Sequence, residues 1–187
     1  MRAKAKAKAR RRPRSGRWKW PAAATVTGVL AALAYAQWPA CELPAGARAD
    51  KVLVNKGERK LILLRDGMPF REYSVSLGGD PLGHKVQEGD NRTPEGLYRI
   101  DYRKADSVAY RALHVSYPDA EDIRRAKSRG VEPGGFIMIH GMMNGYGLIG
   151  RWHRLVDWTN GCIAVTNAEI DQLWTAVPDG TPIEIRP

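Results

Sequence analysis

Trp158-Thr159-Asn160-Gly161-Cys162-Ile163-Ala164-Val165 sets a glycine directly before a cysteine and follows it with a short apolar, partly β-branched run. Upstream, Phe136-Ile137-Met138-Ile139-His140-Gly141 carries a histidine to the end of a buried-strand pattern. Two apolar runs around one chemical pair place that pair on a β scaffold. A thiol attacks well only as thiolate, so Cys162 needs a base or a positive field beside it. His140 is the candidate base, delivered by a rigid strand and freed by the flexibility expected of Gly141. Peptide N–H groups at Asn160, Gly161 and Cys162 would then face the oxyanion formed when a carbonyl is attacked. The same residues also fit a bland description: a cysteine used as a small hydrophobe and a hydrogen-bonded histidine closing a strand. Spacing alone leaves both open.

A second block bears on the choice. Gly83-His84-Lys85 is followed by Glu88-Gly89-Asp90-Asn91-Arg92-Thr93-Pro94-Glu95-Gly96-Leu97-Tyr98. This resembles the GxK…GDxxTPxG-x-Y segment of the YkuD-type L,D-transpeptidases. His140-Gly141, a spacer, and Thr159-Asn160-Gly161-Cys162-Ile163 resemble the same family's His…Ser/Thr-His-Gly-Cys signature. The two blocks occur in the family's order, and the resemblance runs from about Lys51 to Pro187. Asn160 stands where the family usually has His, and Ala164 where Arg or Asn is common. Those departures bear on the choice of donor and acceptor more than on the thiol chemistry.

Charge is distributed very unevenly. Ten of the 30 Lys and Arg residues lie in Met1–Lys19, and no acidic residue precedes Glu42. The remaining 20 basic residues equal the 20 acidic ones, so the net +10 belongs to the N-terminal arm. A nucleic-acid-binding body would need its charge on the folded domain, and none is expected here. Pro21–Ala36 is free of charge, and residues 20–40 contain one strongly polar residue, Gln37. A basic start, an apolar stretch and Ala34-Tyr35-Ala36 read as a secretory signal peptide. An uncleaved anchor is the equal alternative, with Trp18, Trp20 and Trp38 near the interfaces. Both put the remainder in the cell envelope, in a periplasmic or other extracytoplasmic space. Arg10-Arg11-Arg12 lacks the hydrophobic motif of a twin-arginine signal, and Trp38-Pro39-Ala40 is a poor lipoprotein box before Cys41. A Cys41–Cys162 disulfide would silence the nucleophile, but Cys41 opens a Pro- and Ala-rich stretch and is not expected to pair.

The divisions follow: a basic region 1–19, a hydrophobic segment 20–40, a linker 41–50 and a catalytic domain 51–187. Lys51–Val54, Lys60–Arg65 and Met68–Leu77 read as strands, with Asp66-Gly67 as a hairpin turn. Gly78–Gly96 is a long polar loop. Leu97–Tyr102 and Ala112–Tyr117 are further strands, and Asp119–Arg129 a short surface helix. His114 alternates with apolar neighbours and reads as structural. Residues 141–160 contain glycines at 141, 145, 147 and 150 and read as a lid or groove wall. His153, inside that mobile part, is a second candidate base. Thr166-Asn167-Ala168-Glu169 is a capping box that starts a helix with Ile170, Leu173, Trp174 and Val177 on one face. Thr181–Ile185 closes as a strand.

The resemblance implies a mostly β, YkuD-like sandwich or barrel with one or two short helices, preceded by the signal or anchor segment. It implies peptidoglycan stem peptides as substrate, Cys162 as nucleophile, His140 as general base and acid, and the Gly141 carbonyl as the group orienting His140. Gly161 and Asn160 would serve the oxyanion. Lys85, Arg92, Tyr146, Arg151, Trp152 and Thr159 would contact substrate, the first two as a cationic rim. An envelope lipoprotein or other protein amine would be an acceptor, the membrane would be met through the N-terminal segment, and no cofactor or metal is required. Two other readings stay beside this one: an L,D-specific amidase or carboxypeptidase, and a non-catalytic wall-binding module. His84, His114, His140 and His153 show no H-E-x-x-H spacing, and papain-like enzymes place Cys before His in the chain, the reverse of the order here.

Overall fold

The computed structural model describes residues 19–39 and 41–187. The basic arm up to Trp18 lies outside the described residues, as does Ala40. The described chain divides at Ala34/Tyr35 into two units. The first holds most of helix α1 (Lys19–Ala36), whose Val26, Val29, Leu30 and Leu33 are exposed. Among the described residues no helix is long and apolar enough to cross a membrane.

The second unit is mostly β with few helices. Alternation drives the first hairpin. In β1 (Lys51–Asn55), Val52 and Val54 point inward; in β2 (Lys60–Arg65), Leu61 and Leu63 do. Each such side chain contributes roughly 1.5–3 kcal/mol through burial. Asp66 and Gly67 both have positive φ (51° and 75°), the geometry of a tight primed turn, and they lead into β3 (Met68–Ser74). Then come β4 (Gly96–Ser107), β5 (Tyr110–Val115), α2 (Ala120–Ser128), β6 (Met138–His140), β7 (Ile163–Ala164), α3 (Asn167–Ala176) and β8 (Pro182–Arg186).

The sheet order is β3-β2-β1-β8-β4-β5-β6-β7. The strand latest in the chain therefore sits inside the sheet, parallel to β1 through Val52↔Ile183 and antiparallel to β4 through Tyr98↔Ile183. Register shifts in β4 between Ile100 and Arg103 and between Lys104 and Ser107 bend this long strand. Bridges Ser76↔Ala164 and Gly78↔Thr159 join the chain beyond β3 to the β7 edge. The sheet thereby closes around a core that includes Leu61, Ile100, Leu113, Ile139, Ile163, Leu173 and Ile183. The two short helices of this unit were expected, as was α3's capping box, in which Thr166 Oγ1 accepts from the Glu169 N–H.

Three details differ from expectation. Residues 41–50, read as a linker, are packed on the domain: Ala47 and Ala49 are buried, and Ala49 N–H donates to Ala176 O at 2.8 Å. Trp174 is only partly buried, against the core and under the guanidinium groups of Arg103 and Arg111. Residues 141–160, read as a mobile lid or groove wall, contain an ordered 3-10 segment, Gly147–Leu155, kinked at Gly150.

Candidate active site

Strands β6 and β7 run parallel, pairing Ile139 with Ile163 and His140 with Ala164. Side chains alternate by two along a strand, so Cys162, just before β7, falls on the His140 face, diagonal to it across the pair. Both line one cavity of about 450 Å³, together with Phe136, Met138, Trp158, Thr159 and Asn160. Cys162 thus sits at the entry to β7, five residues ahead of α3.

His140 is buried, and its Nδ1 lies 2.6 Å from the Gly141 carbonyl oxygen. Burial holds its pKa below the usual imidazole value, with the Gly141 hydrogen bond partly opposing. Burial likewise pushes the Cys162 thiol up, against the Met138 backbone N–H and the Lys85 charge. The sulfur itself lies 3.5 Å from Phe136 O. Both shifts favour the uncharged forms, the thiol and the neutral imidazole. Both Cys162 and Cys41 are free cysteines.

Gly141 is locked, contrary to the flexibility expected of it. Its N–H donates to Arg111 O at 3.1 Å, and a Cβ there would lie 2.7 Å from Asn167 Oδ1. Asn167 Oδ1 also accepts the Met142 N–H at 2.8 Å, so α3's first residue holds the turn after His140.

The turn before the sulfur is held as firmly. Gly161 has φ +121°, and a Cβ on it would meet Arg92 O at 2.5 Å, so conformation and space both demand glycine. Its N–H is not available to an oxyanion in this geometry, because Thr159 Oγ1 accepts it at 3.1 Å. That leaves the Asn160 and Cys162 amides as the candidate donors. Thr159 is buried, and its hydroxyl donates to Cys162 O at 2.7 Å. It clasps the Cys162 turn, which is a different role from the substrate contact expected of it.

The polar loop before β4 does not form the expected cationic rim. Lys85 is 3% exposed, and its Nζ donates to Asp90 Oδ1 at 2.7 Å and to Gln87 O at 2.9 Å. Burial pushes the Asp90 carboxyl up, but Lys85 and the N–H groups of Val86, Arg92 and Gln87 outweigh it and hold it below the usual carboxylate value. Lys56, which sequence reading passed over, is as deeply buried and ties Gly83 O, Thr93 O and Glu95 Oε1 together. Arg92 points its guanidinium at Asp80, 2.9 Å away, while its backbone backs onto Gly161. Gly78 N–H donates to Thr93 Oγ1, and a Cβ on Gly78 would lie 2.0 Å from Asn91 O and 3.0 Å from the Gly161 Cα. The second sequence block is thus a buttress behind the Cys162 turn.

Tyr146 and Trp152 line a separate apolar cavity of about 340 Å³, which shares Met143 and Trp158 with the first. Arg151 reaches Pro39 O at 3.3 Å and does not line the Cys162 cavity. His153 is not mobile: it is buried, with Nδ1 3.0 Å from Ser76 Oγ, and its pKa falls to about 4 through burial and the nearby Arg154. The Trp158 ring stands edge-on to both His140 (5.8 Å) and His153 (6.5 Å). His114 is structural, 2.6 Å from Asp101 and stacked on Tyr102. Phe136, which carries a positive φ of 54° at the cavity mouth, had no signal in the sequence beyond its place before a buried run.

Comparison with known proteins agrees with this architecture. The protein named "Putative L,D-transpeptidase YafK" of Escherichia coli (strain K12) is 32% identical over 133 residues, 70% of this chain and 43% of that protein. Among solved structures, the helical cell shape determining protein Pgp2 of Campylobacter jejuni is 25% identical with a TM-score of 0.57, over 82% of this chain and 53% of that one. Bd1075 of Bdellovibrio bacteriovorus is 25% identical with a TM-score of 0.50, over 77% and 49% of the two chains. The chain spans less than half the length of YafK and about half that of the two solved relatives. The model of the YkuD family, the L,D-transpeptidase catalytic domain, matches residues 49–185. The chain belongs to that family.

Proposed function

We propose that this protein is a cysteine acyl transferase acting on peptidoglycan stem peptides outside the cytoplasm. The observation that carries this reading is the shared cavity of Cys162 and His140, with the imidazole oriented through its Nδ1. His140 Nε2 takes the thiol proton as Cys162 Sγ attacks the carbonyl carbon on the L-configured side of the scissile bond, at a diaminopimelate residue. The Asn160 and Cys162 amides receive the oxyanion, each such donor being worth roughly 3 kcal/mol. The tetrahedral intermediate expels the amine, which takes its proton from His140, and a thioester remains. A second amine, from another stem peptide or an envelope protein, displaces the sulfur and restores the thiol. Water in place of that amine gives hydrolysis, the amidase or carboxypeptidase outcome. The extracytoplasmic location rests on the basic arm and the uncharged segment that follows it.

Intact-protein mass spectrometry of the full chain with tetrapeptide muropeptides tests the reading, with Cys162→Ala run beside it. Expected are an acyl adduct on the wild type alone and loss of the terminal D-residue. Added amine then separates transfer from hydrolysis. Muropeptide bound without adduct or turnover would overturn the proposal in favour of a binding module.

A further inference from the structure

The segment between the two catalytic residues exposes more apolar surface than a soluble face needs. Leu148 and Leu155 are each 74% exposed, and Tyr146, Ile149, Trp152 and Val156 are exposed beside them. Contiguous apolar patches of this kind mark interaction sites.

Residues 35–39, at the end of the uncharged segment, are fastened to the same segment between His140 and Cys162. Gln37 Nε2 donates to Leu148 O at 2.9 Å, Arg151 donates to Pro39 O at 3.3 Å, and the Tyr35 and Trp152 rings meet at 5.0 Å. A Cβ on Gly150 would lie 2.0 Å from Ala36 O, so the two backbones touch where glycine allows it. Trp38 adds a further exposed aromatic ring, 64% accessible.

Composition and charge identify the occupant. Tyr and Trp alongside Leu and Val are the residues that settle at a headgroup boundary, rings at the interface and aliphatic groups below it. Neither contributing stretch carries a carboxylate: there is none in Met1–Cys41 and none in Pro133–Val156. Ten basic residues lie in Met1–Lys19, matching anionic headgroups. We propose that the face formed by residues 35–38 and 146–156 docks on an anionic lipid surface and seats the catalytic domain there in a fixed orientation. Because Met143 and Trp158 are shared between the adjoining apolar cavity and the Cys162 cavity, this orientation sets the approach of substrate. The proposal stands whether the site transfers, hydrolyses or only binds.

The test uses the full chain with Cys41→Ser and Cys162→Ser, and a bimane label on Leu148→Cys, Leu155→Cys or, as control, Met68→Cys at the exposed start of β3. The proteins are mixed with phosphatidylethanolamine–phosphatidylglycerol vesicles containing brominated acyl chains. Quenching at 148 and 155 should exceed that at 68 by at least about twofold. Leu148→Asp/Leu155→Asp on an otherwise native chain should lower the vesicle-bound fraction with an unchanged circular dichroism spectrum. Equal quenching at all three positions would mean a tether alone and overturn the proposal. Failure to bind vesicles would do the same, as would protection of 148 and 155 by raising protein concentration without lipid, which signals a second copy.

Discussion

The Nδ1 of His140 lies 2.6 Å from the carbonyl oxygen of the very next residue, Gly141. A carbonyl only accepts, so Nδ1 carries the proton and Nε2 the lone pair, the tautomer a general base requires. Gly141→Ala would press a methyl to 2.7 Å from Asn167 Oδ1 and 3.1 Å from Ile170 Cγ2. The carbonyl must then move, and kcat should fall by on the order of 10²-fold with little change in KM. Steady-state kinetics with a stem-peptide substrate measures this. A wild-type kcat would show that the carbonyl does not orient the base.

The neutral thiol has its own signature. Burial raises the Cys162 pKa from an ordinary value near 9 and lowers that of His140 from near 6.5. Alkylation of Cys162 by iodoacetamide, read by peptide mapping in a Cys41→Ser chain, should therefore climb steadily with pH and not level off below about pH 9. A plateau beginning near neutrality would reveal a preformed thiolate–imidazolium pair and sink this description of the resting site.

Lys85 and Asp90 form a buried ion pair. Lys85→Met leaves the carboxylate buried without its partner and should cost about 3–5 kcal/mol in urea unfolding. Lys85→Met/Asp90→Asn should regain most of that stability while Cys162 alkylation at fixed pH stays slower than in the wild type, because the positive field is gone. An unchanged stability in the single variant would return Lys85 to a substrate-facing role.

His153 makes stability depend on pH. Its folded pKa is about 4, below the unfolded value near 6.5. Between those two values the unfolded chain holds a proton that the folded chain does not, so stability is full above about pH 6.5 and drains away as pH falls toward 4. The loss should reach about 3 kcal/mol, and His153→Asn, which keeps a polar atom for Ser76, should flatten that limb of a stability–pH curve. Identical curves would place the titration elsewhere.

What could be read from the chain follows from which properties are local. Strand alternation in Val52/Val54 and Leu61/Leu63, the Asp66-Gly67 turn and the Thr166–Glu169 capping box all lie within a few residues, and the structure shows each. Cys162 and His140 were legible because a parallel pair of strands brings them to one face. The cationic loop was misread because Lys85 and Asp90 are five residues apart in a stretch where composition signals exposure, and burial is decided by what packs over it. The same holds for His153, whose partner Ser76 is 77 residues away. Gly161's N–H was assigned to an oxyanion because nothing in the sequence says that Thr159 turns its hydroxyl back to take it.

Strand β8 occupies an interior place in the sheet although it follows every other strand of the domain in the chain. During synthesis, β1 and β4 emerge with a gap between them that nothing already made can fill. Ile183 and Ile185, which close the core from the middle, arrive last. Pairing across such a long separation is slow, so the nascent domain stays open until its final strand is delivered. The Cys162 turn, the buttressing loop and the closed sheet are therefore assembled together, in one late step.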